Sequence, residues 1–154
     1  TARIVREGRA PPFFKPLYFL TMNSLSVIAF AGLFAAAIAM RGRSDWHRRL
    51  MACAMAGLTG PAFGRLLPGP LLIPWTPWAI FAGMMLFPLA GVIHDQRSAG
   101  RIHPAWGWGI GVLVADQLLI GFVSTTGMAL SAYGVPVAGG AGAKLAPLVY
   151  PPFP

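Results

Sequence analysis

Residues 17–40 read LYFLTMNSLSVIAFAGLFAAAIAM, a run of 24 positions without one charged side chain. A helix needs about 20 apolar residues to cross roughly 30 Å of hydrocarbon. This run exceeds that length. A helix apolar on every side has no face to turn to water. Residues 17–40 therefore read as a transmembrane helix, and the rest of the chain is read for its companions.

Three further runs follow. Residues 48–67 carry Arg65 near their end, residues 75–93 carry no charge, and residues 104–125 carry Asp116. The connecting stretches differ in kind. Arg41–Arg49 is basic, Pro68–Pro74 is Pro-rich and uncharged, and His94–His103 is polar. Barrel strands would alternate apolar and polar residues over ~10 positions. These runs are continuous, which points to helices. The expected fold class is all-α: a polytopic membrane protein with four transmembrane helices at 17–40, 48–67, 75–93 and 104–125. Residues 1–16 are expected to form a basic interfacial segment, residues 17–126 the transmembrane domain, and residues 127–154 an extended Gly/Pro-rich tail. Pro61 and Pro88 fall inside expected helices and should kink them.

Composition agrees. Of 154 residues, 56% are hydrophobic and 10% charged, too few charges to cover a water-soluble surface. An ordinary soluble enzyme, a coiled coil and a disordered tail are excluded. Twelve Lys and Arg face four Asp and Glu, a net charge of +8. In a soluble protein that surplus would suggest nucleic acid. Here the cations flank apolar runs, the pattern of topology signals and anionic-lipid contacts. Anionic lipids and other integral membrane proteins are the expected partners, with bound lipid and no nucleic acid. Cys53 is the single cysteine and admits no internal disulfide. The first 16 residues lack the apolar core of a secretory signal. The chain opens on Thr1, which reads either as a trimmed start or as part of a longer chain that could hold upstream helices.

Tryptophans mark both expected interfaces. Trp46, Trp106 and Trp108 lie at one set of ends, and Trp75 and Trp78 at the other. The interfacial set comprises Arg41, Arg43, Arg48, Arg49, Trp46, Trp75, Trp78 and Trp106. Six arginines (41, 43, 48, 49, 97 and 101) share one side, which the positive-inside rule places in the cytoplasm of a bacterial inner membrane. Arg3, Arg6, Arg9 and Lys15 then face outward, against the rule. Gly60/Gly64 and Gly107/Gly111 have the spacing that lets membrane helices approach closely.

Two constellations could carry chemistry. Arg65, Asp116 and Asn23, with Gln117 nearby, are polar positions inside expected spans. At 1.5 Å per residue, Asp116 lies ~18 Å and Arg65 ~24 Å from the cytoplasmic helix ends. They suit an ion relay, a polar pocket, or an Arg–Asp pair that fixes helix packing; the packing role is preferred. His47, His94, His103 and Asp95, with Asp45, lie at the cytoplasmic rim and could hold a divalent metal, though without a ligand-spacing motif. A rim haem between His47 and His94 is a variant of this idea. Nucleophilic catalysis has little support, because no histidine matches the depth of Cys53 or the helix serines.

Three motifs point further. Asp45-Trp-His-Arg-Arg-Leu-Met51 opens the second run and Pro61-Ala-Phe-Gly-Arg-Leu66 closes it. His94-Asp-Gln-Arg-Ser-Ala-Gly-Arg-Ile-His-Pro104 precedes the fourth. With Pro11–Leu20, the chain resembles a group of uncharacterised bacterial polytopic inner-membrane proteins. These carry D-x-H-[KR]-R-L-M, P-A-x-x-R-L and H-D-x-[RK]-[TS]-x-G-R-[IV]-H-P signatures. The likeness covers most of residues 5–125. It implies an inner-membrane location and a longer N-terminus, and draws attention to His47, Arg49, Arg65, His94, Asp95 and His103 without assigning them roles. The expected function is a non-catalytic membrane subunit packing against partner helices and lipid in a larger complex, a photosynthetic or respiratory one being a suitable host. The alternatives are a metal- or haem-binding membrane protein using the rim histidines, and a small ion or proton transporter using Asp116 and Arg65.

Overall fold

A computed structural model describes residues 2–9 and 11–151, with the side chains of residues 128, 132 and 136 left out. The described chain is helical, and no strand occurs among the described residues. The helices are α1 (Ala2–Arg6), α2 (Pro16–Ala39), α3 (Ser44–Gly57), α4 (Gly60–Leu66), α5 (Thr76–Ala99), α6 (Pro104–Val123) and α7 (Gly127–Val137). Short 3₁₀ turns occupy Gly69–Leu72 and Ala141–Lys144.

Three helices are long and apolar enough to cross a membrane: α2, α5 and α6. α2 starts on Pro16, whose missing N–H is no loss in a first turn. α5 runs on past the expected end at residue 93. Nothing in His94–Ala99 breaks a helix, and the chain turns only at Gly100, where φ is +65°. His94, Asp95 and Arg97 are thus helical and not loop residues. Likewise Asp45–Arg49 belong to the first turns of α3, where Asp45 complements the helix dipole. Pro88 lies inside α5, fully buried, and the helix continues through it.

The second expected span is not one helix. It breaks at Leu58–Thr59, where the backbone tightens to i−3 hydrogen bonds from Leu58 to Met55 and from Thr59 to Ala56. Pro61 has no N–H to donate back to Gly57, so it stands in the first turn of a new helix instead of kinking an old one. Thr59 Oγ1 also donates to the Ala56 carbonyl, at 2.7 Å, across the break.

The tail also departs from expectation. Residues 127–137 form α7, with Thr126 Oγ1 accepting from Ala129 N–H at 3.4 Å.

The chain divides into two compact units. One holds the residues up to Leu25, Pro68–Pro77 and the chain from Gln117 onward. Its core joins Val5 of α1 and Leu17 of α2 to Ala129, Tyr133 and Val137 of α7. Gly142 passes so close to the Val5 carbonyl that a Cβ there would collide with it. The N-terminal basic segment is therefore tethered through Val5, while Arg3 pairs with Glu7 at 2.8 Å on its outer side.

The other unit holds Ser26–Leu67 and Trp78–Asp116. Four helices meet in its core: Leu33 and Ala37 of α2, Leu50, Cys53 and Ala54 of α3, Met85 of α5, and Ala105, Trp106 and Leu113 of α6. Three glycines permit the close approaches. A Cβ on Gly109 would strike Cys53 Sγ, one on Gly91 the Trp106 ring, and one on Gly83 the Phe63 ring.

Candidate functional site

The most organised polar site lies in the second unit, where α3, α5 and α6 meet at Asp95. Arg49 Nε donates to Asp95 Oδ2 at 2.6 Å, and Trp106 Nε1 donates to the same oxygen at 2.8 Å. Arg49 Nη1 donates to the Asp45 carbonyl at 2.8 Å and lies 3.5 Å from the Asp45 carboxylate. Arg48 pairs with Asp45 at 2.9 Å on the exposed side. The Arg49 and Asp95 side chains are only 8% and 11% exposed, so each charge depends on the other.

Local structure brings these groups together. Arg49 stands one turn beyond Asp45 in α3, so its guanidinium reaches back to that residue's carbonyl. Asp95 lies near the end of α5. Trp106 opens α6 and lays its ring against Gly91, one turn before Asp95. The sequence pattern placed Arg49 and Trp106 among interfacial residues. Both are instead buried, at 7% and 6% exposure. Both polar groups find their partner on Asp95, which removes any need for lipid contact. Arg41, Arg43, Arg48, Trp75 and Trp78 are exposed, as an interfacial role requires. Trp46 is half-buried, with the Arg43 guanidinium 5.4 Å from its ring.

The proposed metal ligands do not gather. His47 Nδ1 donates to the Ala37 carbonyl at 2.7 Å, binding α3 to the end of α2. His103 Nδ1 accepts from Ala105 N–H at 3.2 Å, and its ring meets Trp46 edge-on at 5.4 Å. His94 is exposed. Asp95 is taken by Arg49 and Trp106. Among the described residues no three His, Cys, Asp or Glu side chains converge as a metal would need. Burial, aided by the Arg49 charge, holds the His103 imidazole below its usual range. A neutral ring suits its role as acceptor at the start of a helix.

The polar positions of the expected spans also take separate partners. Asp116 accepts from Ser26 Oγ at 3.2 Å. Arg65 is exposed and reaches only its own helix, at the Pro61 carbonyl. No ion pair joins Arg65 to Asp116 among the described residues. The break at Leu58–Thr59 is the reason: depth and face counted along one continuous helix no longer apply to Arg65. Asn23 donates to the Phe19 carbonyl at 2.8 Å, and Gln117 donates to Tyr18 at 3.1 Å.

Arg49 and Asp95 are both marked by the sequence signatures, but their pairing is not visible there. The available signal was arithmetic. Four acidic residues serve twelve basic ones, so a rim carboxylate beside arginines has a partner waiting. Chemically the site is a closed knot. Oδ2 accepts twice, from Arg49 and from Trp106. Compared with known protein families, with curated proteins and with solved structures, the chain matches none.

Proposed function

We propose that the chain is a non-catalytic subunit of a larger assembly in a bacterial inner membrane, packing against partner helices and lipid. In this reading it crosses four times, with α3 and α4 together making the second crossing. Ser44–Leu66 would extend ~34 Å if fully helical, long enough for the hydrocarbon layer. The placing of α3 in one core with α2, α5 and α6 supports this. The Arg-rich ends around residues 41–49 and 94–103 face the cytoplasm. The signature motifs at Asp45–Met51 and His94–Pro104 agree with membership in the inner-membrane group they resemble.

One observation carries the subunit role. α6 uses Gly109 to approach α3, but Gly107 and Gly111 lie on another side and meet nothing within 4 Å. With Pro104, Trp108, Val112 and Ala115 they line an open groove of about 540 Å³ along the helix. Gly107, Gly111 and Ala115 repeat at four-residue intervals, the spacing on which a second membrane helix seats closely. Val27, Ile28 and Phe34 on α2 and Leu86, Phe87 and Leu89 on α5 are exposed as well, which suits lipid or a neighbour.

The test is a mass measurement. Purified in mild detergent from its native membrane, the wild-type chain runs with equimolar membrane partners. Gly111→Leu, which has space for its Cβ and keeps the helix content, releases them. His47→Ala with His94→Ala leaves the complex intact. A wild-type chain that runs alone, or one that carries stoichiometric metal or haem lost in the double histidine variant, overturns the proposal.

A further inference from the structure

The first unit contains a cavity of about 270 Å³ whose walls include Phe14, Lys15, Tyr18, Ser124, Thr125 and Tyr150. Its position in the chain is informative. Lys15 immediately precedes α2, Pro74 stands two residues before α5, and Ser124 and Thr125 immediately follow α6. All three helices long enough to cross a membrane thus have an end at this cavity, which in the membrane reading above is where hydrocarbon gives way to headgroups. Exposed Trp75 beside Pro74 suits that depth.

The cavity holds one formal charge. The Lys15 ammonium sits 5.6 Å from the centre of the Tyr150 ring, and among the described residues no carboxylate pairs with it. Nor is one to spare: Glu7 is engaged by Arg3 and Arg9, Asp45 by Arg48, and Asp95 by Arg49. The remaining acid, Asp116, accepts from Ser26 and belongs to the other unit. Among the described residues no acidic side chain is left for Lys15, so an anion from outside suits it. Ser124 and Thr125 lie in the same wall, their hydroxyls donating to the Gly121 and Phe122 carbonyls, and aromatic rings supply the rest. This combination suits a phosphate joined to an apolar body: one cation for charge and ring faces for the carbon beside it. The volume fits a headgroup and not a whole lipid.

We infer that this cavity seats the phosphodiester headgroup of an anionic lipid, with Lys15 as its counter-charge. The inference rests on the membrane reading above and goes beyond it. It also gives a role to one of the outward cations that conflict with the positive-inside rule: the lysine serves a ligand and carries no topology signal.

The experiment titrates the full chain in detergent with phosphatidylglycerol, phosphatidylcholine or inorganic phosphate, and counts bound molecules by native mass spectrometry. One phosphatidylglycerol binds at least about fivefold more tightly than phosphatidylcholine. Lys15→Gln removes that preference, and Lys15→Arg keeps it. Gly121→Leu fills the cavity from an open helical position with nothing within 4 Å of its Cβ; it abolishes the site while raising helix propensity. Arg101→Gln, outside the cavity, changes nothing. Phosphatidylglycerol binding unchanged in both Lys15→Gln and Gly121→Leu overturns the inference. So does displacement of the lipid by millimolar inorganic phosphate, which would make free phosphate the ligand. Equal uptake of the two lipids defeats the headgroup site alone, whereas uptake of neither defeats the membrane reading as well.

Discussion

Asp95 Oδ2 accepts from both the Arg49 guanidinium and the Trp106 indole, so removing either charge strands the other in a nearly dry corner. Arg49→Gln or Asp95→Asn should each cost roughly 3 kcal/mol, the low end for a broken buried pair because some exposure remains. Replacing both with apolar residues, Arg49→Met with Asp95→Leu, should cost less than either single change. Unfolding of the reconstituted chain in a denaturing-detergent titration measures all three. His103 gives a second expectation. Its folded value lies below the ordinary 6.5, through burial first and the Arg49 charge second. Below pH 6.5 the unfolded chain takes up a proton that the folded chain refuses, so stability falls as pH drops through that value and levels off once the folded ring is protonated. His103→Asn keeps an acceptor for Ala105 N–H and should flatten this dependence in the same titration run from pH 7.5 to 5. The sequence marked Arg49, Asp95 and His103 through their motifs. It could not show that Asp95 faces Arg49, because that depends on how two helices 46 residues apart are turned about their own axes.

Among the helices, those long and apolar enough to cross a membrane were plain in the sequence because hydropathy alone picks them out, and α2, α5 and α6 stand where long apolar runs stand. Ends and interruptions were less legible. Apolarity continues through Leu58–Thr59, but hydrogen-bond geometry at Pro61 does not. Similarly, polar composition made His94–Ala99 look like a loop, although no residue there stops a helix before Gly100. Spacing identified small residues without saying which ones touch. Gly60 and Gly64 meet Met84 and Ile80 of α5, whereas Gly107 and Gly111 meet nothing. A sharp contrast within one helix follows. Gly109→Ala drives a Cβ into Cys53 Sγ and should cost about 1–3 kcal/mol as overpacking. Gly107→Ala, in open space, should be neutral or stabilising by up to about 1 kcal/mol through helix propensity. Equal effects of the two changes in the denaturation assay would show that α6 does not face α3 through Gly109.

For the whole molecule, composition pointed to a membrane before any residue was placed, since 10% charge leaves little polar surface for water, and three helices long and apolar enough to cross one agree with it. Composition is silent on function because it averages over faces, and a packing face and a lipid face are made of the same residues. The proposed orientation can be tested on intact cells with a membrane-impermeant maleimide in a Cys53→Ala background. A cysteine at exposed Leu71 should label readily, and one at exposed Gly42 should label only after permeabilisation. The reverse pattern would invert the topology. The Asp95 knot has one more consequence, in time. A ribosome releases residues in order, so Arg49 emerges 46 residues before its counter-ion. Through that interval the neighbouring carboxylate at Asp45 is its one acidic companion on the same helix. Until α5 has been made, the start of α3 lacks the partner that allows its arginine to be buried. The corner where three helices are tied can close only once residue 95 has been made, and a chain halted earlier keeps Arg49 without the carboxylate it is buried against.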